Sequence, residues 1–509
     1  MELRRLLNSI DILKGPADLS GDVSGICYAA DQCGPDSMFV AIPGLVHDGH
    51  DYIRQAVDLG ARFIVHQKDA SIPPQAMAIQ VSDSRRALGR LAKNYFGDPS
   101  GNLTLIGITG TSGKTTVTYL LESILTQAGF CCGVIGTVNY RYAGKTLPAP
   151  NTTPESYDLQ RILRQMADEG VTHVLAEVSS HALDLHRVDD CDFDLGVFTN
   201  LSVEHLDYHK DMESYFRAKQ RLFTELLSQS KKDRPRRAVV NADDAWGAIL
   251  LDGIRPFALT YGAEGERDVR VLDCHISLSG IRAGISIAGR EMTIQSKLTG
   301  RFNLFNILAA AAAAHLLGVP ESAIAEGIEQ MTCVPGRLER VVSDTGVHVF
   351  VDYAHKPDAL TQVLENLVRM RTGRLITVFG CGGNRDRSKR PLMGDAATRL
   401  SDLTIVTSDN PRKEDPLAII AEITAGIDAS QVRQWTAGSL QTDQQSRGYA
   451  VIPDRKTAIE AAIGAAVSGD MVLIAGKGHE DYQILSTGKI LFDDRVVAAS
   501  ALRSRGSKR

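Results

Sequence analysis

One short run constrains this chain more than any other. Leu103 to Ile108 is apolar, Gly110-Thr111-Ser112-Gly113 is a glycine-rich turn, and Lys114-Thr115-Thr116 opens an amphipathic pattern that ends on Gly129. Strand, glycine turn and helix in that order is what phosphate binding requires. Glycines let backbone N–H groups face inward as a nest, the helix N-terminus adds positive potential, Lys114 can reach β- and γ-phosphates, and Thr115 can ligate Mg²⁺. The spacing is compact, because the common Gly-x-x-x-x-Gly-Lys form needs glycine at 108 and the chain has Ile108. The alternative is a turn that merely joins strand to helix, and Lys-Thr-Thr at the helix start argues against it.

The same rhythm recurs downstream. Apolar runs at Val171 to Val178, Asp194 to Thr199 and Ala238 to Asn241 alternate with helical patterns, which predicts a mostly parallel sheet flanked by helices. A second series, Val347 to Val351, Leu375 to Phe379, Leu403 to Thr407 and Val472 to Ala475, predicts a separate doubly wound α/β domain. Before residue 100 lie short strand-like runs at Ser37 to Ile42, Phe63 to Val65 and Ala78 to Val81, then a helix from Ser84 to Tyr95. With 509 residues the chain exceeds one hydrophobic core. The breaks at Gly97 to Gly101 and Pro335-Gly336 set the expected domains at 1–100, 101–337 and 338–509. The fold class is α/β in three domains, with a central parallel-sheet domain of P-loop type.

Composition excludes several classes. A hydrophobic content of 43% with 23% charged residues argues against extensive disorder, and a net charge of -5 gives no general attraction to nucleic acid or anionic membrane. Met1 to Arg5 lead into a polar segment without a signal peptide's apolar run. The apolar block Ile307 to Gly318 is too short for a bilayer and contains His315, so it predicts a buried alanine-rich helix. Eight cysteines are scattered, and the adjacent Cys131-Cys132 lacks metal or redox spacing. They are expected to be reduced, mostly buried thiols of a cytoplasmic protein.

Four further motifs join the phosphate loop: Asn151-Thr152-Thr153-Pro154, Glu177 to Leu183, Thr199 to His209, and Asp409-Asn410-Pro411-Arg412. With Val351 to His355 and Gly476 to Gln483, in this order, the chain resembles the Mur ligases of peptidoglycan synthesis over nearly its whole length. Among them it is most similar to the branch that adds diaminopimelate. The resemblance implies an ATP-consuming amide ligase that joins the D-glutamyl γ-carboxylate of UDP-N-acetylmuramoyl-L-Ala-D-Glu to an amine of meso-2,6-diaminopimelate through an acyl phosphate, with Mg²⁺ as cofactor. A carboxylate is a poor electrophile until so activated, and phosphoryl transfer needs positioning and charge neutralisation.

The same resemblance assigns roles residue by residue. Lys114, Glu177, His205 and Lys219 are expected to be catalytic, with Thr115, Glu177, His205 and Lys219 around Mg²⁺. Lys219 matches the lysine that is carbamylated, which requires a neutral amine that partial burial favours. Gly110 to Thr116, Asn303, Asn306, Arg337, Asp352 and His355 are expected around ATP. Ala30, Asn151, Thr152, Thr153, Ser179 and Arg187 are expected around the UDP substrate. Arg385, Asp409, Asn410, Pro411, Arg412, Gly476 and Glu480 are expected around diaminopimelate, whose extra carboxylate a bidentate arginine can read.

The plain alternatives are a solvated strand-end carboxylate for Glu177, a structural histidine for His205, a solvated helix lysine for Lys219 and an ordinary turn for Asp-Asn-Pro-Arg. Two departures from the family pattern touch the UDP end. Leu185 replaces a glutamine of some relatives, and Ala29-Ala30-Asp31 replaces the usual Asp-Ser-Arg, which leaves backbone near Leu45 to His47 to meet uridine. Folylpolyglutamate synthetases share the phosphate loop and the lysine, but Asn-Thr-Thr-Pro together with Asp-Asn-Pro-Arg favours the Mur reading. A catalytically silent nucleotide-binding scaffold is disfavoured by intact Lys114, Glu177, His205 and Lys219. The expected form is a monomer with small-molecule substrates that closes before chemistry.

Overall fold

The computed structural model describes residues 1–44, 47–436, 438, 440 and 447–506. Leu45 and Val46, part of the segment expected to approach uridine, lie outside them. The chain forms two compact units, one of Met1–Val271, Ile285–Met292 and Phe305–Ile328, the other of Leu272–Gly284, Thr293–Leu304 and Glu329–Arg509.

The first unit holds two sheets. The N-terminal one has β1 (Ile12–Lys14), β2 (Ile26–Cys27), β3 (Ser37–Val40), β4 (Ala61–His66) and β5 (Met77–Val81) in the order β1-β5-β4-β3-β2. β1 is antiparallel to β5 and the other pairs are parallel. The helix Ser84–Phe96 covers it. Asp83 caps the helix start by accepting the Arg85 and Arg86 N–H groups, and Gly97 ends it in the left-handed region at φ 72°.

The second sheet positions the phosphate loop. Eight of its eleven strands are β6 (Thr104–Thr109), β7 (Cys132–Ile135), β8 (Tyr140–Tyr142), β9 (Lys145–Leu147), β10 (His173–Glu177), β11 (Leu195–Phe198), β12 (Arg237–Asn241) and β13 (Ala258–Gly262), in the order β13-β12-β11-β6-β10-β7-β8-β9. From β13 to β7 every pair is parallel, while β8 and β9 return antiparallel at the edge. The parallel strands are buried on both faces, which is why they read as continuous apolar runs. β10 and β11 flank β6, so the residues after these three strands share one end of the sheet, where α/β proteins collect ligand groups. β14 (Val269–Ser277), β15 (Gly280–Ile287) and β16 (Arg290–Ser296) follow. Their exposed positions interrupt any apolar run, so they leave no strand pattern in the sequence.

The second unit is doubly wound as expected. β17 (Glu339–Val341), β18 (His348–Asp352), β19 (Leu375–Phe379), β20 (Leu403–Val406), β21 (Arg433–Trp435), β22 (Gly448–Val451) and β23 (Met471–Ala475) run in the order β17-β18-β23-β19-β20-β22-β21. All are parallel except β17. Alternate residues face two cores: Phe350, Phe379 and Leu473 pack with Leu364 and Met393, whereas Val349, Val378 and Val472 pack with Ile459 and Ala498. A hairpin, β24 (Tyr482–Leu485) and β25 (Gly488–Leu491), follows.

The cysteine expectation is corrected. Cys27 and Cys33 form a disulfide, because the short turn Ala30–Gln32 folds the chain back and brings their Cα atoms to 5.8 Å. Of the other six, Cys131, Cys274 and Cys333 are exposed, and only Cys191 and Cys381 are fully buried. Spacing alone does not show a pairing that a turn creates. Ile307 to Gly318 falls mostly within the helix Arg301–Leu316, and no helix among the described residues is long and apolar enough to cross a membrane.

The second unit also buries an ion pair. Arg455 and Asp494, both with 0% exposed side chains, meet at 2.7 and 2.8 Å, and Arg455 also donates to the Ala475 carbonyl at 3.0 Å. Removing one partner strands a charge away from water. Asp494→Asn is therefore expected to lower stability by about 3–5 kcal/mol, read as a shifted urea midpoint of the second unit's transition.

Candidate active site

The phosphate loop is built by its neighbours as much as by its own sequence. β6 ends at Thr109, and Gly110 and Gly113 take φ of 146° and 89° before the helix Lys114–Gln127 begins. A Cβ on Gly110 would collide with the Thr199 hydroxyl, and one on Gly113 with the Asn306 amide oxygen, so both glycines are required by space as well as by φ. Asn200 shapes the turn from outside. Its carbonyl accepts the Thr111 N–H at 2.8 Å, its side-chain oxygen accepts the Ser112 N–H at 2.9 Å, and its amide donates to the Ser112 carbonyl at 3.1 Å. Thr199 adds a 2.6 Å hydrogen bond to the Ser112 carbonyl. Neither residue was given a role from sequence, although both lie in the Thr199 to His209 motif. Lys114 folds over the loop, its Nζ donating to the Gly110 and Thr111 carbonyls at 2.8 and 3.0 Å.

Glu177 ends β10 beside the loop and is 1% exposed. Its carboxylate accepts the Thr115 hydroxyl at 3.1 Å, the Thr137 N–H at 3.0 Å and the Thr137 hydroxyl at 2.8 Å. Its carbonyl accepts the Thr153 hydroxyl at 2.7 Å. Thr137, another residue that sequence reasoning missed, also meets the Thr152 hydroxyl at 3.1 Å. The expected substrate residues gather around this point. The Ser179 N–H donates to Thr153 Oγ1 at 3.0 Å, Ser179 caps the helix Ser180–Asp184, and Arg187 donates to the Thr153 carbonyl at 3.2 Å. Glu155 bridges Arg187 at 3.3 Å and Arg85 at 2.9 Å. Asn151 is exposed, and its carbonyl accepts the Tyr140 hydroxyl at 2.5 Å. Ala30 is buried in the turn between Cys27 and Cys33.

Lys219 is 1% exposed on the helix Met212–Arg221, which continues into a widened turn at Leu222–Leu226. Its Nζ donates to the Gly110 carbonyl at 2.9 Å and lies 4.7 Å from the centre of the Tyr215 ring. Lys219 is therefore a buried lysine at the mouth of the phosphate loop, and the solvated-helix alternative is set aside. Tyr215 is fully buried, touches the Thr111 hydroxyl at 3.2 Å and packs 6.0 Å from His205. His205 holds a left-handed backbone at φ 56°, with its ring 4.8 Å from His181 and its Nε2 3.6 Å from Glu204.

The second unit carries the remaining expected residues. Asp352 ends β18 buried, its carboxylate accepting the Leu338 and Ala354 N–H groups at 2.6 and 2.7 Å, and burial raises its pKa against the opposing pull of Arg337. Arg337 stacks 4.7 Å from the centre of the Tyr353 ring, and His355 Nδ1 meets the Tyr353 carbonyl at 2.8 Å. Asn303 donates to the Thr299 carbonyl at 2.8 Å. Burial, with help from Arg337, pushes the His479 imidazole down to about 4, so it is neutral near pH 7.

Three loops after β19, β20 and β23 then converge. The Gly383 N–H donates to the Asn410 carbonyl at 2.9 Å, and Arg412 donates to the Gly383 carbonyl at 2.8 Å. A Cβ on Gly383 would collide with the Pro411 carbonyl. Asn410 donates to Glu480 at 2.8 Å and accepts the Ile484 N–H at 2.8 Å. Lys477, 0% exposed, meets Glu480 at 3.1 Å. Gly476 sits at φ 114°, where a Cβ would crowd the Asp409 carboxylate. Arg385 is exposed and donates to its neighbour's carbonyl at 3.3 Å. Asp409 to Arg412 is thus part of an interlocked set of loops.

Known proteins are similar to this chain in sequence and fold. Models of the Mur ligase family catalytic domain, the Mur ligase middle domain and the Mur ligase glutamate ligase domain match residues 22–96, 108–314 and 336–478. A Geobacter metallireducens protein named UDP-N-acetylmuramoyl-L-alanyl-D-glutamate–2,6-diaminopimelate ligase is 47% identical over 509 residues, covering 100% of this chain and 99% of the relative. Its namesake in Caldanaerobacter subterraneus is 40% identical, covering 97% and 98%. A solved structure of a ligase with that name covers 99% of both chains at 32% identity with a TM-score of 0.70. Thermotoga maritima MurF in complex with ADP shares the fold at 20% identity, covering 94% of this chain and 98% of that one with a TM-score of 0.60. With relatives this similar along its whole length, the chain belongs to the Mur ligase family.

Proposed function

We propose that this chain is the cytoplasmic ATP-dependent ligase that adds meso-2,6-diaminopimelate to UDP-N-acetylmuramoyl-L-Ala-D-Glu in peptidoglycan precursor synthesis. The observation that carries this reading is the interlocked loop set of Gly383, Asn410, Arg412 and Glu480, in a chain whose full-length relatives bear that name. In this reading residues 1–100 hold the UDP end, 101–337 the nucleotide and 338–509 the amino acid.

The chemistry follows from the residues. The glutamyl γ-carboxylate attacks the γ-phosphorus of ATP, ADP leaves, and an acyl phosphate results. The diaminopimelate amine then attacks the acyl carbon, phosphate departs with the C–O electron pair, and the nitrogen loses a proton to leave the amide. Loop N–H groups, the helix N-terminus and Lys114 neutralise charge on the phosphates. Thr153, Ser179 and Arg187 orient the muramoyl dipeptide. Asn303, Asn306, Arg337, Asp352 and His355 serve the nucleotide. Thr115 and Glu177 present hard oxygen donors 3.1 Å apart at the head of the phosphate helix, a set that suits Mg²⁺. Mg²⁺ would be held there with His205 and a carbamylated Lys219, and would screen the phosphate oxygens.

Diaminopimelate differs from lysine by one carboxylate. Arg412 and Arg385 are suited to read it, while Glu480 meets the substrate ammonium. A site built around such a contact discriminates by roughly 10⁴ or more against the analogue that lacks it.

Phosphate release with UDP-N-acetylmuramoyl-L-Ala-D-Glu and ATP is expected to depend on meso-diaminopimelate and to respond little to L-lysine, and equal rates would overturn the assignment. Arg412→Ala is expected to raise KM for diaminopimelate far more than KM for ATP, a split that steady-state kinetics resolves. Lys219→Ala is expected to lose most activity and to regain part of it when short carboxylates stand in for the carbamate. Full activity without rescue would make the lysine structural.

A further inference from the structure

Among the loops that carry Arg385 and Arg412 lies a guanidinium that the proposed chemistry does not use. Arg390, in the first turn of the helix Lys389–Leu400, has a 0% exposed side chain. Its Nη1 donates to Glu414 Oε2 at 3.0 Å and Glu422 Oε2 at 2.8 Å, and its Nη2 donates to Glu414 Oε1 at 3.1 Å and the Gly382 carbonyl at 3.2 Å. A cation withdrawn from water must be paired and hydrogen-bonded. Here the partners are Glu422, Glu414, which closely follows Arg412, and Gly382, which closely precedes Arg385.

Glu414 is the pivot of this arrangement. Besides the Arg390 fork it accepts the Asn384 N–H, while the Asn384 side-chain oxygen accepts the Lys413 N–H at 3.2 Å. Asn384 and Arg412 both hold left-handed backbones, at φ 51° and 55°, without being glycine. Such conformations persist only where the surroundings over-determine them. Arg390 and the Asn384 N–H hold the Glu414 carboxyl down to about 2, so the clasp stays charged across neutral pH. The nearby Arg387–Glu422 pair, by contrast, has an exposed arginine and reaches neither loop backbone.

We infer that Glu414, clasped by Arg390, is a positioning residue for amino-acid specificity, fixing loops 382–385 and 409–414 in one register so that Arg385 and Arg412 converge on the distal carboxylate of the substrate. The inference rests on the reading of these loops as the diaminopimelate site.

The test is steady-state kinetics of the full-length enzyme with Glu414→Ala and Glu414→Gln, folding being checked by thermal melting. Glu414→Ala is expected to raise KM for meso-diaminopimelate by about tenfold to a hundredfold while kcat and KM for ATP stay within about twofold. Its preference for diaminopimelate over L-lysine should fall by a similar factor. Glu414→Gln, which keeps an acceptor for the Asn384 N–H, should show a smaller rise. A folded Glu414→Ala enzyme with an unchanged KM for diaminopimelate overturns the inference. So does a parallel rise for ATP and diaminopimelate with a lowered melting temperature, the pattern of a merely structural bridge. If Glu414→Ala does not fold, an unchanged KM in Glu414→Gln overturns it equally. If the unmodified enzyme prefers another amino acid, the diaminopimelate reading fails by itself, and KM for that amino acid against KM for ATP decides whether Glu414 positions the loops.

Discussion

The first unit depends on the carboxylate of Glu177. A buried acid is costly unless its partners satisfy it. Glu177 meets that condition by drawing together three elements distant in sequence: Thr115 at the head of the phosphate helix, Thr137 after β7, and, through its own carbonyl, Thr153 of the substrate loop. Thr137 passes the connection on to Thr152. The groups proposed to hold nucleotide, cation and muramoyl dipeptide therefore share one anchor. A displacement of any of these threonines is transmitted to the others through it.

The second unit solves the same problem with arginines in place of a carboxylate. Arg390 and Arg455 are the largest of its fully buried side chains among the described residues, and each ends on a backbone carbonyl at the end of a central strand, Gly382 after β19 and Ala475 of β23 respectively. A guanidinium has five donors in a rigid fork and no acceptor, so its partners are fixed in direction as well as distance. This suits the amino-acid site proposed for these loops.

How much of this was legible in the sequence differs by element. The parallel strands were readable because burial on both faces leaves uninterrupted apolar runs, and the helix Ser84–Phe96 because Asp83 and Gly97 mark its ends. β14 to β16 were not, since exposed positions break their pattern. The phosphate loop announced itself through glycines whose purpose is local. Asn200, Thr137 and Tyr215 did not, because a hydrogen bond to a loop far away in sequence leaves no periodic trace. Lys219 is the instructive case. Its helix reads as amphipathic and solvated, and only the packing of Tyr215 and the Gly110 carbonyl shows it to be interior. The Cys27–Cys33 disulfide is illegible for a different reason: its cysteines are only six residues apart, but the turn that brings them together carries no signature in spacing.

The compact phosphate loop has a consequence for how such a chain can vary. Ile108, where the common motif has its first glycine, is not part of the loop. It is the strand residue in register with Glu177 on one side and Val197 on the other. The turn is thus bounded by two parallel ladders at one end and by the first helical residue at the other, with Asn200 filling the space outside it. Lengthening it by one residue would either pull Ile108 out of both ladders or push Lys114 along its helix. Drift in loop length, tolerated in most surface connections of a protein this size, is closed off here, and variation is left to the edge strands and outer hairpins.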